Sequence, residues 1–391
     1  MPLLAFHPRR IHLAVAAAVC LLVAALPGAA LARQRVLYVS PHGSDGHNCT
    51  HRQPCKTIGH AVAKAPARST IIVRRGAYNE SVKIDKRLRL VGVHRPVIDA
   101  SGNTNGILIS GHAASHSLVQ GFVVERANQE GILAMQTTRI TIRNNLVRQN
   151  DLGAAAPHPT GECAPQGQVP GDCGEGVHLM SVTHSRVLNN RVTRNTGGIL
   201  LTDELGPTAY NLVQRNRVYR NPYDCGITIA GHNDKAVQSG TLMPKVAGIY
   251  KNRIVRNFSN VNGLRGEGAG ILLATAGPGT AVYSNLISRN TANGNNLAGI
   301  TLHSHAPGDN LNRNRIIRNL VRNDNLGGDP DAGDTATTGI LVFSAVSKLQ
   351  GTIVNRNVIR DVHYGIWTQN APTVHKDANR FQNVSVPLFQ K

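Results

Sequence analysis

From residue 106 onward the chain repeats one short pattern. A glycine is followed by an apolar residue, a variable residue and a second apolar residue, and later by a short alternating run that ends in asparagine. The starts are Gly106-Ile107, Gly131-Ile132, Gly176-Val177, Gly198-Ile199, Gly226-Ile227, Gly270-Ile271, Gly299-Ile300, Gly339-Ile340 and Gly365-Ile366, at intervals of 25, 45, 22, 28, 44, 29, 40 and 26 residues. The shortest interval, inside residues 173–202, defines a unit of 22 residues. That is too long for a heptad and right for one coil of a solenoid. Period-two alternation turns Ile199 and Leu201 inward on one strand and Val192 on another. The asparagine segments NNRVTRN (189–195), NRVYRN (216–221), NRIVRN (252–257), NLISRN (285–290) and NRIIRN (314–319) mark turns. There an asparagine can take left-handed dihedrals and stack its amide on the coils above and below. Nine coils at about 4.8 Å each predict a rod roughly 40 Å long. The irregular intervals fit a solenoid better than a propeller, whose blades need four strands of regular length.

Residues 36–100 do not keep this period. They predict a strand, a short helix with Ile58, Ala61, Val62 and Ala65 on one face, and three further strands. Tyr38-Val39-Ser40 with Gly43-Ser44-Asp45, then Pro54-Cys55-Lys56-Thr57-Ile58, and Gly76-Ala77-Tyr78 with Glu80 carry a resemblance. The stretch resembles the N-terminal cap and first coils of secreted bacterial right-handed parallel β-helix proteins, the broad group that includes pectate lyases. The resemblance implies an all-β, right-handed, single-stranded parallel β-helix, with a cap over residues 33–100 and repeats over 101–391. It also implies that the Gly-Ile-x-Leu sheet floors a substrate groove. Long insertions at 151–174, 258–269 and 320–338 would then stand along one side of that groove.

Residues 1–32 stand apart. Arg9 and Arg10, an apolar run over 11–26 and Ala30-Leu31-Ala32 have the layout of a secretory signal peptide. Its loss would lower the formal charge from +20 to +18, with no transmembrane segment expected in the mature chain. A strongly cationic exported monomer favours an acidic polysaccharide or other polyanion as partner. Export and the low aromatic content, 4%, argue against nucleic acid. The pairs Cys49/Cys55 and Cys163/Cys173 each suit a short-loop disulfide in an oxidising compartment, and Cys225 is left as a buried thiol.

The candidate chemistry sits at the far end of the predicted floor. Counted from their glycines, Glu204, His232 and His305 share one position and should form a column. In it His232 is the candidate base and Glu204 or Asp203 its orienter, with His303 and His305 beyond. The competing reading is that these are turn residues satisfying local backbone. Asp329, Asp331 and Asp334 could hold Ca²⁺, the one cofactor suggested, although the order departs from an EF-hand. Arg194, Arg220, Arg256, Arg289 and Arg318 precede the last asparagine of their segments. They are expected to make a column about 20 Å long that holds the polyanion together with His178. The function expected is a secreted β-helix acting on an acidic polysaccharide, of lyase or epimerase type. The alternative is a surface or wall β-helix that binds a polyanion without catalysis.

Overall fold

The computed structural model describes residues 35–151, 174–371 and 377–391. The expected signal peptide and the Cys163/Cys173 pair lie outside them. Each coil contributes three short strands in a fixed order, and like strands of successive coils pair in parallel. Sheet 1 stacks the glycine-led strands, among them Glu175–Met180, Gly197–Thr202, Ile227–Gly231, Ile271–Thr275, Ile300–Ser304 and Thr338–Ser344. Sheet 2 stacks Arg186–Leu188, Leu212–Gln214, Arg253–Val255, Leu286–Ser288, Arg315–Ile317 and Ile353–Asn355. Sheet 3 stacks Arg191–Thr193, Arg217–Tyr219, Phe258–Asn260, Thr291–Asn293 and Leu320–Arg322. The chain runs from sheet 2 through sheet 3 to sheet 1 and then starts the next coil. The register links Ile199 to Ile227, Ile271, Ile300 and Ile340, so the glycine starts do mark successive coils. Their inward side chains form one continuous apolar core.

Three asparagine ladders close the corners. Between sheets 2 and 3, Asn145, Asn190, Asn216, Asn257, Asn290, Asn319 and Asn357 each donate their amide to the next, at 3.0–3.1 Å. Asn150, Asn195, Asn221 and Asn262 form such a ladder up to Asn295 between sheets 3 and 1, at 2.8–3.4 Å, and Asn211, Asn252 and Asn285 form one before sheet 2, at 3.0–3.2 Å. The ladder asparagines are not the left-handed residues expected. The residue before each one is, as at Asn189, Arg194, Arg215, Arg256, Arg289 and Arg318, with φ of 55–59°. The corner is made by that residue, which leaves the asparagine in ordinary backbone with its amide turned inward to stack.

The cap covers the first coil's open core. The helix Ile58–Lys64 buries Ile58, Ala61 and Val62. Asp45 accepts from the N–H groups of Lys56 and Thr57, and Glu80 from those of Ile58 and Gly59. Those acidic residues therefore hold down the first turn of the helix. Beyond the helix the segment carries five strands, not three: Thr70–Val73, Ala77–Asn79, Val82–Ile84, Arg89–Gly92 and Val97–Asp99. The corners here are too tight to show as breaks in the apolar pattern. Cys49 and Cys55 form a disulfide, and Cys225 is free and buried. Among the described residues no helix is long and apolar enough to cross a membrane.

Candidate functional site

The outward residues of sheet 1 do not floor an open groove. His178, Leu200, Thr301 and Leu341 are fully buried. The corner segments following sheet 3 fold back over the sheet, so that Ala332 packs on Leu341, Phe343 and Trp367, and Ala269 on Cys225 and Leu272. Two of the expected insertions also start too early, since 258–260 and 320–322 are strands of sheet 3. His178 is therefore not a substrate contact on a free surface: its Nδ1 lies 3.3 Å from Glu130 and its Nε2 2.8 Å from Thr202. Glu130, which lies buried near this imidazole together with Glu175, was missed. Its signal was the acidic residue directly before Gly131, as Glu175 stands before Gly176.

Glu204 and His232 do meet. Imidazole Nδ1 donates to the carboxylate at 2.8 Å, and the two side chains are only 8% and 4% exposed. Burial pushes the Glu204 carboxyl up, but the hydrogen bond to His232 and that imidazole's field outweigh it, so the net shift is downward. Asp203 has another role. Fully buried, it accepts from the backbone N–H groups of His232, Asn233 and Gly248 at 2.7–3.2 Å. It pins both ends of the 232–248 loop, and burial raises its pKa to about 6. His305 does not complete the column, because it turns to another partner.

That partner is the acidic loop. His303 and His305 on one side and Asp329 and Asp331 on the other, expected as separate candidates, converge. His303 Nε2 lies 3.0 Å from Asp329, its Nδ1 3.4 Å from Asp331, and His305 Nε2 3.8 Å from the same Asp331 oxygen. Burial alone would lower the pKa of His303; the two carboxylates reverse this and raise it to about 9. Asp334 is not part of the cluster. It accepts from Asn325, the Ala336 N–H and the Thr338 hydroxyl, and so braces its own loop. Asp329 and Asp331 thus face imidazoles, while Asp334 is engaged within its own loop.

The expected arginine column splits between two corners. Arg194 and Arg220 stand between sheets 3 and 1, where the backbone N–H of one bonds the carbonyl of the other. Arg256, Arg289 and Arg318 stand between sheets 2 and 3. There Arg215 and Arg356 extend them, each N–H bonding into the next coil, to an unbroken exposed run of five. The same N-x-x-x-R-N spelling serves sheet 2 in some coils and sheet 3 in others, which merged the two corners. Sheet 3 lies between them. On its face Arg191 stacks over Tyr219 and Arg217 over Phe258, with guanidinium carbons 5.9 and 5.6 Å from the ring centres. Two adjoining depressions of about 390 and 450 Å³ open there. Both are lined by Arg220 and Val261; Arg191, Arg217, Tyr219 and Phe258 line the first, and Arg194, Leu264 and Arg265 the second. None of the outward residues of the five sheet 3 strands from Arg191–Thr193 to Leu320–Arg322 is acidic.

Three parallel sheets, asparagine ladders and a helical cap define a right-handed parallel β-helix protein. Solved structures of the same fold include the A-module of the Azotobacter vinelandii mannuronan C-5 epimerase AlgE4, with 14% identity, 85% of this chain and 92% of that one covered, and a TM-score of 0.50. The Dettilon tailspike protein gp208 has 15% identity, 90% and 68% coverage and a TM-score of 0.52. The GH136 lacto-N-biosidase of Eubacterium ramulus has 13% identity, 90% and 68% coverage and a TM-score of 0.52. At these identities the likeness shows the fold alone. The chain belongs to the NosD family, described as periplasmic copper-binding protein, whose profile matches residues 69–268, just over half of its length. Uncharacterized protein YwoF of Bacillus subtilis (strain 168) is 33% identical over 81 residues, a stretch that spans 21% of this chain and 17% of that protein.

Proposed function

We propose that the chain is an exported β-helix that binds an acidic polysaccharide along sheet 3 and its two arginine corners, without cleaving it. The observation that carries this reading is the basic, acid-free face where exposed Arg191, Arg194, Arg217, Arg220 and Arg265 surround two joined depressions beside Phe258 and Leu264. Guanidinium groups suit uronate carboxylates or sulfates bidentately. Exposed apolar side chains between them suit the faces of sugar rings. Coil spacing repeats the charge along the rod axis at about 4.8 Å, a layout for a linear ligand. A lyase or epimerase would need its base to reach a ring proton. The His232–Glu204 pair, nearly closed to solvent, favours binding over that chemistry.

The test is titration calorimetry against polygalacturonate, alginate, a sulfated glycan and neutral dextran at several salt concentrations, with ultraviolet absorbance followed for unsaturated uronate. The expected result is salt-sensitive binding to the anionic chains only, weakened ~2- to 5-fold in Arg220→Gln by loss of one exposed ion pair, with no product formed. Binding that ignores glycan charge, or turnover of any of these chains, would overturn the reading.

A further inference from the structure

We infer that His303, His305 and Asp331 form a binding site for one divalent transition-metal ion of the imidazole-preferring kind, Zn²⁺ or Cu²⁺, with Asp329 as the group that orients His303. The site is independent of the polysaccharide face and lies outside residues 69–268, which the family profile matches.

The donor geometry carries the inference. Two donors each about 2.0–2.1 Å from a tetrahedral ion stand about 3.3–3.4 Å apart. Asp331 Oδ2 lies 3.4 Å from His303 Nδ1 and 3.8 Å from His305 Nε2, too long for the second to be a hydrogen bond and close to what a shared ion needs. All three donor atoms lie within 4.8 Å of one another.

The setting of His303 is the second observation. On its other side Nε2 faces Asp329 Oδ2 at 3.0 Å. Asp329 is itself buried and anchored, its other oxygen accepting from the Ala332 N–H. A carboxylate behind a histidine fixes its tautomer and points the opposite nitrogen at a metal. Neither His303 Nε2 nor Asp329 Oδ2 has a well-aligned hydrogen bond among the described residues. The contact thus joins two buried groups with no other use for those atoms. Phe343 packs edge-on to His303 at 5.5 Å and supplies an apolar wall.

Access comes from the opposite side, where His305 is 34% and Asp331 48% exposed. Two imidazoles and one carboxylate suit Zn²⁺ or Cu²⁺, whereas Ca²⁺ takes six to eight oxygens. Three protein donors leave a fourth position for water or an exchanging ligand.

The experiment is calorimetry and equilibrium dialysis of the untagged full chain with Zn²⁺, Cu²⁺ and Ca²⁺ salts separately, with Co²⁺ absorption as a reporter of geometry. One Zn²⁺ or Cu²⁺ per chain is expected, with tetrahedral Co²⁺ bands and no Ca²⁺ uptake. His305→Gln and Asp331→Asn, both at partly exposed positions where folding is safe, should each weaken affinity at least ~100-fold. Asp329→Asn should weaken it ~10-fold while keeping the stoichiometry, as outer partners do. His232→Gln should leave it unchanged. The idea is overturned if no Zn²⁺ or Cu²⁺ binds, if binding survives His305→Gln and Asp331→Asn, or if Ca²⁺ is preferred. Polygalacturonate binding by His305→Gln, measured alongside, separates a failure here from a failure of the polysaccharide reading.

Discussion

A ladder asparagine uses its whole hydrogen-bonding capacity inside the protein. Asn257 Oδ1 accepts from both the backbone and the amide nitrogen of Asn216, and its amide donates to Val213 O and Asn290 Oδ1. Asn257→Ala would leave several buried partners unsatisfied, so a loss of about 3 kcal/mol is expected in urea unfolding. Arg256→Ala, next to it and exposed, should cost under about 1 kcal/mol. One ladder ends differently. Asp324 takes the asparagine position above Asn295 and accepts both of its N–H groups at 2.9 and 2.7 Å, yet its second oxygen is buried without a hydrogen bond. Burial lifts its pKa to about 8, against the pull of Asn295 and then of Arg322. The folded value exceeds the unfolded one of about 3.9, so the folded chain holds the proton more tightly. Stability from this group is full below about pH 4 and is lost as pH rises towards 8. Asp324→Asn, which supplies the amide that the ladder uses elsewhere, should raise stability near neutral pH by about 2–4 kcal/mol and remove that slope. Unfolding midpoints at pH 4, 6 and 8 check this. Equal slopes in both proteins would show that Asp324 does not set the trend.

At the scale of strands and corners, the backbone conformation is more uniform than the residue types that adopt it. The corner before the second ladder holds Gln149, Arg194, Arg220, Val261 and Asn323, all left-handed at φ of 52–59°. Val261 is the misfit, because a β-branched side chain is disfavoured there while asparagine tolerates it. Val261→Asn should therefore raise the thermal midpoint by a few degrees, equivalent to about 1 kcal/mol; a lower midpoint would mean that the packing of Val261 outweighs its strain. The same corners explain what could be seen in the sequence. Gly176-Val177 and Gly198-Ile199 announce sheet 1 because a glycine meets the facing coil there: a Cβ on Gly198 would come within 2.0 Å of Gly226 O. Sheets 2 and 3 have no such mark. Both are three-residue strands ending in a left-handed residue and an asparagine, and only pairing with a coil 26–41 residues away separates Asn216 from Asn252. Position on a strand was thus legible while cover was not. His178 and Leu200 face away from the core as period two requires, yet both are fully buried. The meeting of His303 with Asp331 was hidden for the same reason, since it depends on how a closed loop at 329–334 folds back over sheet 1.

Across the whole rod, charge placement separates two explanations of polyanion binding. A net charge of +20 attracts any polyanion from a distance, wherever the arginines sit. An aligned array does more, because each guanidinium meets its own carboxylate on one linear ligand and releases its own counterions, as on other polyelectrolytes. The run Arg215, Arg256, Arg289, Arg318 and Arg356 is such an array, exposed on consecutive coils along one corner. Cap residues Arg35, Arg52, Arg87 and Arg89 are also exposed but belong to no such run. Two variants of equal net charge therefore test the array, one with Arg215, Arg256, Arg289 and Arg318 changed to Gln and the other with the four cap arginines so changed. The corner variant should bind polygalacturonate more than ~10-fold more weakly than the cap variant at moderate salt, each lost pairing contributing the few tenths to one kcal/mol of an exposed ion pair. Its affinity should also fall less steeply with salt. Equal losses in the two variants would mean that the field of the whole molecule draws the ligand in, and that the regular spacing of the corner arginines follows only from the solenoid that carries them.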